Sequence, residues 1–290
     1  MIWNLGSINA DNFYHLTHLP AAGETISAVR FHQGLGGKGA NMSVAAARAA
    51  ARVAHVGAVG ADGKWARDRL MEYGVDTRHI AVVDAPTGHA NINVDASGEN
   101  NIVLLPGANH AITEAMIGTA LSEASPRDFL LMQNETCGQL YAAKTARTLG
   151  LRLAYVAAPF SAEAVQAVLG QIDLLVLNAV EAEQLEKASG KPITDLGVAE
   201  VVITLGGDGC LWVSDQGKSR KSFPAYRVTV KDTTGAGDTF AGYLVAGLDR
   251  GMTMPDAIDL ALRAAALMVS REGTADVIPD LRDIQDHDFS

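Results

Sequence analysis

Asp232-Thr233-Thr234-Gly235-Ala236-Gly237-Asp238-Thr239-Phe240-Ala241-Gly242 stands between two segments of different hydrophobic period. Before it, Tyr226, Val228 and Val230 alternate with Arg227, Thr229 and Lys231, which predicts a half-buried strand. After it, Phe240, Leu244, Val245 and Leu248 recur at helical spacing, and Gly251 closes the run. The glycines therefore sit where a strand passes into a helix. The first N–H groups of that helix lack intrahelical partners, and its macrodipole adds positive potential there. Glycine lets an anion approach the backbone without meeting a Cβ. Asp238, on the first turn, is placed to take a proton from an attacking hydroxyl while the amides of Gly235, Ala236 and Gly237 hold phosphoryl charge. So close to the positive end of a helix, its carboxyl is expected to stay ionised at neutral pH. Read alone, the same residues also describe a helix start whose acidic residue merely complements the dipole.

Outward from this stretch, strands and helices alternate. Strands are predicted at 2–5, 53–57, 129–133, 153–157, 172–177 and 200–205, and helices near 40–51, 112–122, 139–149, 161–169, 180–188 and 255–270. Such alternation predicts a mostly parallel sheet flanked by helices, a Rossmann-like α/β fold. An exposed strand over 24–33 and a hairpin of 88–94 with 101–105, turning at Ala96-Ser97-Gly98-Glu99, predict a small separate sheet. A short surface helix is expected at 282–290. No linker or repeat divides the chain, so residues 1–290 read as one domain.

The chain has 290 residues, 48% hydrophobic and 19% charged, enough for a sizeable core and unlike a disordered chain. A formal net charge of −10 argues against gripping a nucleic-acid backbone, which requires a basic face. It does not argue against a nucleotide held at a helix N-terminus. Cys137 and Cys210 form no C-x-x-C pair, so neither a disulfide framework nor a thiolate metal site is expected. No stretch approaches about 20 uninterrupted apolar residues. The start, Met1-Ile2-Trp3-Asn4-Leu5-Gly6, lacks the basic and long apolar regions of a secretory signal. A cytoplasmic protein without membrane or nucleic-acid partners is expected.

Two nucleotide-binding patterns are set aside. Gly34, Gly36 and Gly39 match G-x-G-x-x-G, and Asp62 lies about 20 residues on, as in a dinucleotide fold. However, Arg30, Phe31, His32 and Gln33 before Gly34 are not the buried strand that fingerprint follows. A P-loop is excluded because no G-x-x-x-x-G-K-[ST] occurs; Gly39 follows Lys38.

The stretch 232–240 resembles the C-terminal signature of the ribokinase-like (PfkB) carbohydrate kinases. Gly36-Gly37-Lys38-Gly39-Ala40-Asn41 is similar to their N-terminal signature, and Gly6-Ser7-Ile8-Asn9-Ala10-Asp11 to their opening loop. The three pieces lie in the family's order. The resemblance implies the three-layer ribokinase-like fold, with the small sheet (about 10–33 and 87–105) as a lid over the sugar. It also implies an ATP-dependent kinase acting on the hydroxymethyl group of a small sugar, ribose first among candidates. A nucleoside kinase of the same fold and a sugar-binding regulator without turnover stand as alternatives.

By this resemblance Asn9, Asp11, Gly37, Lys38, Asn41 and Glu135 line the sugar site with Asp238. Asn9 and Asp11, placed on the loop after the first strand, would otherwise read as an Asx-turn pair. Asn178-Ala179-Val180-Glu181 resembles the family's N-x-x-E, with Glu181 helping to hold Mg²⁺ and Asn178 facing the ATP phosphates. Without the resemblance the pair is a helix cap and its capping-box partner. Thr204-Leu205-Gly206-Gly207-Asp208-Gly209 resembles the T-x-G-x-x-G loop, bringing Thr204, Gly206 and Gly209 to the nucleotide; otherwise it is a turn between two strands. Leu262 stands near the adenine, where relatives often carry His or Asn. Asp232 and Thr234, with carbonyls near Val269, Glu272 and Gly273, resemble a monovalent-cation loop and imply potassium. Between Arg78 and Arg127 there is no Lys or Arg, so the hairpin offers no basic clamp and an unphosphorylated acceptor is favoured. Exposed lid edges need a cover, and a homodimer through the lid is expected.

Overall fold

The computed structural model describes residues 1–289. The chain runs β1 (Ile2–Leu5), β2 (Asn9–His15), β3 (Arg30–Gly36), α1 (Lys38–Arg48), β4 (Val53–Val59), α2 (Lys64–Glu72), β5 (Ile80–Val82), β6 (Gly88–Val94) and β7 (Asn100–Leu105). It continues through α3 (Glu114–Leu121), β8 (Phe129–Gln133), α4 (Gln139–Leu149), β9 (Arg152–Val156), α5 (Ala162–Val168), β10 (Leu174–Asn178) and α6 (Ala179–Ser189). It ends with β11 (Glu200–Thr204), β12 (Cys210–Ser214), β13 (Ser219–Phe223), α7 (Ala236–Asp249), α8 (Met254–Val269) and α9 (Leu281–Asp286).

Continuous apolar runs make strands that can be covered on both faces. They form a nine-stranded sheet in the order β13-β12-β11-β10-β9-β8-β1-β4-β5. All neighbours in it are parallel except β11–β12 and β12–β13. Side chains alternate between two cores. Phe129 and Leu131 face α1, α2, α7 and α8, whereas Leu130 and Met132 face α3 to α6. Leu5 lies opposite Met132, Met132 opposite Tyr155, and Asn178 opposite Thr204. The loops leaving these strands therefore emerge along one edge, where parallel α/β sheets place their ligands. The middle of α7 is wholly buried, packed between α1 and α8.

The second sheet has four strands, ordered β3-β2-β6-β7, with β2 parallel to β6. Its outer strand β7 is exposed along its whole length, including Ile102, Val103 and Leu104. No helix among the described residues is long and apolar enough to cross a membrane.

The α/β alternation and the small sheet agree with expectation; four local readings do not. Residues 224–230 pair with no strand among the described residues. Ala225, Tyr226, Arg227, Val228 and Val230 line a cavity instead. β3 begins at Arg30 and runs to Gly36, where β2 supplies its partners; residues 24–29 are irregular. Asn9 and Asp11 lie on β2 and not on a loop, since β1 bends after Gly6 and its continuation joins the second sheet. The last helix is shorter than the expected 282–290, and Ser290 lies outside the described residues. The antiparallel β12–β13 ribbon at one edge was not foreseen beyond the turn that opens it.

Candidate active site

The loop before α7 places Gly235 at φ 72°, the left-handed region that glycine enters without a Cβ clash. This turn reverses the chain and directs the first α7 amides into a cleft. The N–H groups of Gly235 and Gly237 have no protein partner among the described residues, whereas Ala236 donates to the Thr233 carbonyl at 3.3 Å. The expected anion-binding trio is thus two free amides and one spent on the turn. Asp238 follows on the first helical turn and is buried.

Four side chains from three segments approach that carboxylate. Asn41, from α1, donates its Nδ2 to Asp238 Oδ2 at 2.9 Å, while its Oδ1 is buried with no partner among the described residues. Lys38, from the first turn of α1, lines the same cleft as Asp238, Asn178, Glu181 and Thr204. Glu135, after β8, accepts the backbone N–H of Lys38 at 3.0 Å and the hydroxyl of Ser7. It thereby caps a helix whose own N-cap residue, Gly37, has no side chain. Asp11 lies beneath Gly36, so near that a Cβ there would meet its carboxylate.

The charges in this cleft are unequal: Asp11, Glu135, Asp238 and Glu181 interact with the one ammonium of Lys38. Asp238's carboxylate, joined by Glu135, Glu181 and Asp11, holds Lys38 above its ordinary range although burial opposes it. Burial, with Glu135 and Asp238 nearby, pushes Asp11 up to about 7. Burial also pushes Asp238 up; Lys38 and the Asn41 amide act against it. Burial thus acts against the ionised form that the helix terminus favours. The shift makes Asp238 a stronger base once it is deprotonated.

Beyond the anion loop lies a larger cavity of about 510 Å³, continuous with the polar cleft of about 240 Å³ through Thr204, Thr233 and Gly237, which line both. Val228, Phe240 and Leu262 make its walls apolar, and Gly206 and Gly209 border it. Leu262 offers this cavity apolar contact and no hydrogen bond. Asn178 and Glu181 do form a reciprocal capping box, each side chain accepting the other's N–H at 2.8 Å, and they also line the polar cleft. The pair thus caps α6 and borders the cleft at once.

The two flanking loops are tied to each other. Asp232 accepts N–H groups of Thr234 at 2.9 Å and Gly273 at 3.3 Å. The Val269 carbonyl accepts both Lys231 and Asp232 amides. Its lone pairs are thus occupied, which leaves this carbonyl none for a cation.

Two contributors went unread in the sequence. Asn109 donates Nδ2 to Asn9 Oδ1 at 2.8 Å and accepts the N–H of Ile8, fixing the Asn9 side chain. Ser7 bridges Glu135 and the N–H of Gly39. Ser7 lay inside a quoted motif, but Asn109 acts on a residue 100 positions away and carries no local signal.

Residues 2–281 match the family model described as "pfkB family carbohydrate kinase". The chain is 37% identical to a ribokinase of Haemophilus influenzae, over 95% of this chain and 94% of that one. An Arabidopsis thaliana ribokinase complexed with ribose and ATP superposes with a TM-score of 0.87 at 28% identity, covering 98% of this chain and 97% of that chain. A nucleoside kinase of Burkholderia thailandensis, in complex with inosine, shares the fold at 21% identity, TM-score 0.84, over 98% and 94% of the two chains. This protein belongs to the pfkB family of carbohydrate kinases and is a phosphotransferase with the ribokinase-like fold.

Proposed function

We propose that this enzyme transfers the γ-phosphate of ATP to the hydroxymethyl group of a small unphosphorylated sugar, with D-ribose the leading acceptor. The observation that carries the reading is the position of Asp238. It is a buried carboxylate at the start of α7, held by Asn41, where the apolar cavity meets the polar cleft. ATP would occupy the cavity with its phosphates toward Thr204, Gly206, Gly209 and Asn178. The acceptor would lie among Asn9, Asp11, Gly37, Lys38, Asn41 and Glu135. Asp238 takes the hydroxyl proton as the oxygen attacks phosphorus, and the free amides of Gly235 and Gly237 hold the developing charge. Lys38 supplies the positive charge at the junction. Asp11 and the unpaired Asn41 Oδ1 can both accept sugar hydroxyls, which would satisfy a buried orphan and stabilise Asp11's ionised form. Four carboxylates against one ammonium would repel a sugar phosphate, which supports a neutral acceptor.

Glu181 fits a magnesium site, since this ion commonly takes few carboxylates and keeps several waters. Bound there, Mg²⁺ would neutralise phosphate charge. Asp232, Thr234, Glu272 and Gly273 could hold a monovalent cation and stiffen the anion loop. Potassium is accordingly expected to raise kcat at fixed magnesium; equal rates in potassium and in an organic-cation buffer would remove this part.

The chain is read as one domain in the cytoplasm, with the four-stranded sheet as a lid over the sugar. Exposed Phe31, Ile102, Val103 and Leu104 on that sheet support a homodimer through it. Light scattering is expected to give twice the chain mass, and a monomer at assay concentration would count against it.

ADP release across pentoses, hexoses and nucleosides tests the acceptor, with D-ribose expected to give the highest kcat/KM. One observation favours a second reading. Phe13 and His32 stack at 4.5 Å on the face that Asp11 shares, where a nucleoside base could lie. Adenosine or inosine outrunning ribose by tenfold would replace ribose and keep the kinase.

A further inference from the structure

A polar chain runs through the core under the proposed acceptor site, starting at Gln133, whose buried Oε1 has no partner among the described residues. Gln133 Nε2 donates to Asn4 Oδ1 at 2.7 Å. Asn4 Nδ2 donates to the Gly39 carbonyl at 2.7 Å and to Ser43 Oγ at 2.8 Å. Ser43 Oγ lies 2.9 Å from His55 Nδ1, and His55 Nε2 lies 3.0 Å from the Gly6 carbonyl. All four side chains are fully buried. Apolar residues surround them, so polar groups here require a reason beyond filling space.

The chemistry fixes every proton. The Gly6 carbonyl can only accept, so Nε2 carries the hydrogen. Burial pushes the imidazole down to about 4, so it is neutral and Nδ1 is an acceptor. Ser43 must then donate to Nδ1, and its lone pairs receive Asn4. The chain thus has one direction and two anchored ends, the carbonyls of Gly6 and Gly39. Gly57, next on the His55 side of β4, has no side chain; a Cβ there would come within 2.8 Å of the ring.

Those two carbonyls belong to the segments that carry the acceptor groups. Gly6 starts the turn leading to Asn9 and Asp11. Gly39 lies between Lys38 and Asn41, and Asn41 holds Asp238. We infer that His55, Ser43 and Asn4 are positioning residues: they clamp the turn after β1 against the first turn of α1 and so set the distance between acceptor and base. This rests on the kinase reading for its effect on turnover, but not for the clamp itself.

The test compares His55→Phe, Ser43→Ala and His55→Gln with Val165→Ala, a remote core truncation on the opposite face of the sheet, at matched loss of Tm. His55→Phe is expected to raise acceptor KM by about tenfold, with ATP KM little changed. The acceptor is whichever compound the wild type phosphorylates best. Gln can still donate to the Gly6 carbonyl, so His55→Gln should recover most of the loss. Ser43→Ala, which keeps the fold's volume nearly intact, should shift KM in the same direction by less. Hydrogen exchange gives a readout independent of activity. The amides of Gly6 and Ala40, bonded to the Val56 and Ser7 carbonyls, should exchange faster in His55→Phe while those of β10 and β11 do not. An acceptor KM no higher than that of Val165→Ala, no recovery in His55→Gln, or Gly6 and Ala40 exchanging like the rest of the chain would overturn the inference. A wild type that phosphorylates no acceptor would defeat the functional reading instead, and the exchange result would still decide the clamp.

Discussion

Asp238→Asn is expected to leave a folded, ATP-binding protein whose turnover is lower by at least about a hundredfold. Asparagine keeps the size of the side chain and can still accept from Asn41, but it cannot take the hydroxyl proton. Stability should move the other way. Burial raises the Asp238 carboxyl in the folded state, so the fold binds that proton more tightly than the unfolded chain does. Stability from this group is therefore lost as pH rises above the unfolded value, and at neutral pH a neutral residue removes the penalty. Tm in Asp238→Asn should be equal or higher. If Asp238 only complemented the helix dipole, worth roughly 0.3–1 kcal/mol, the variant would melt earlier and turn over almost normally.

Gly36→Ala should cut kcat/KM for the acceptor by about a hundredfold, the scale of a misplacement near 1 Å. A Cβ on Gly36 would lie 1.9 Å from Asp11 Oδ2, so the carboxylate must leave its place. Gly36 continues β3 beside Asn9, and its strand conformation suits alanine, which confines the damage to Asp11. ATP KM should hardly change, because the cavity proposed for the nucleotide is lined by other segments. Adding Asp11→Ala to Gly36→Ala should then cost little more, since both act on one interaction. Full additivity of the two losses would show that Gly36 acts by another route.

The residues near Asp238 were legible because their meaning is local. Two glycines and an acid at a helix start occupy a few adjacent positions, and the turn into α7 follows from them. The alternation of Tyr226, Val228 and Val230 was equally local but misleading, because this segment borders a cavity and pairs with no strand among the described residues. The burial that acts against Asp238's ionisation could not be read, since the dipole is visible in sequence and packing against α1 is not. Asn109 and His55 act on Asn9 and Gly6 across long stretches of chain. Each alone reads as an ordinary polar residue, and only the fold supplies its partner. Val269 shows the converse: sequence places its carbonyl near Asp232 but does not reveal that Lys231 and Asp232 already engage it.

Phosphorus NMR of the wild-type protein with ATP, magnesium and D-ribose tests the central claim of phosphoryl transfer most directly. The account predicts a new phosphomonoester resonance that grows in step with ADP and is absent without the sugar. ADP accompanied only by inorganic phosphate, with no phosphorylated product from ribose or from any other acceptor supplied, would contradict it.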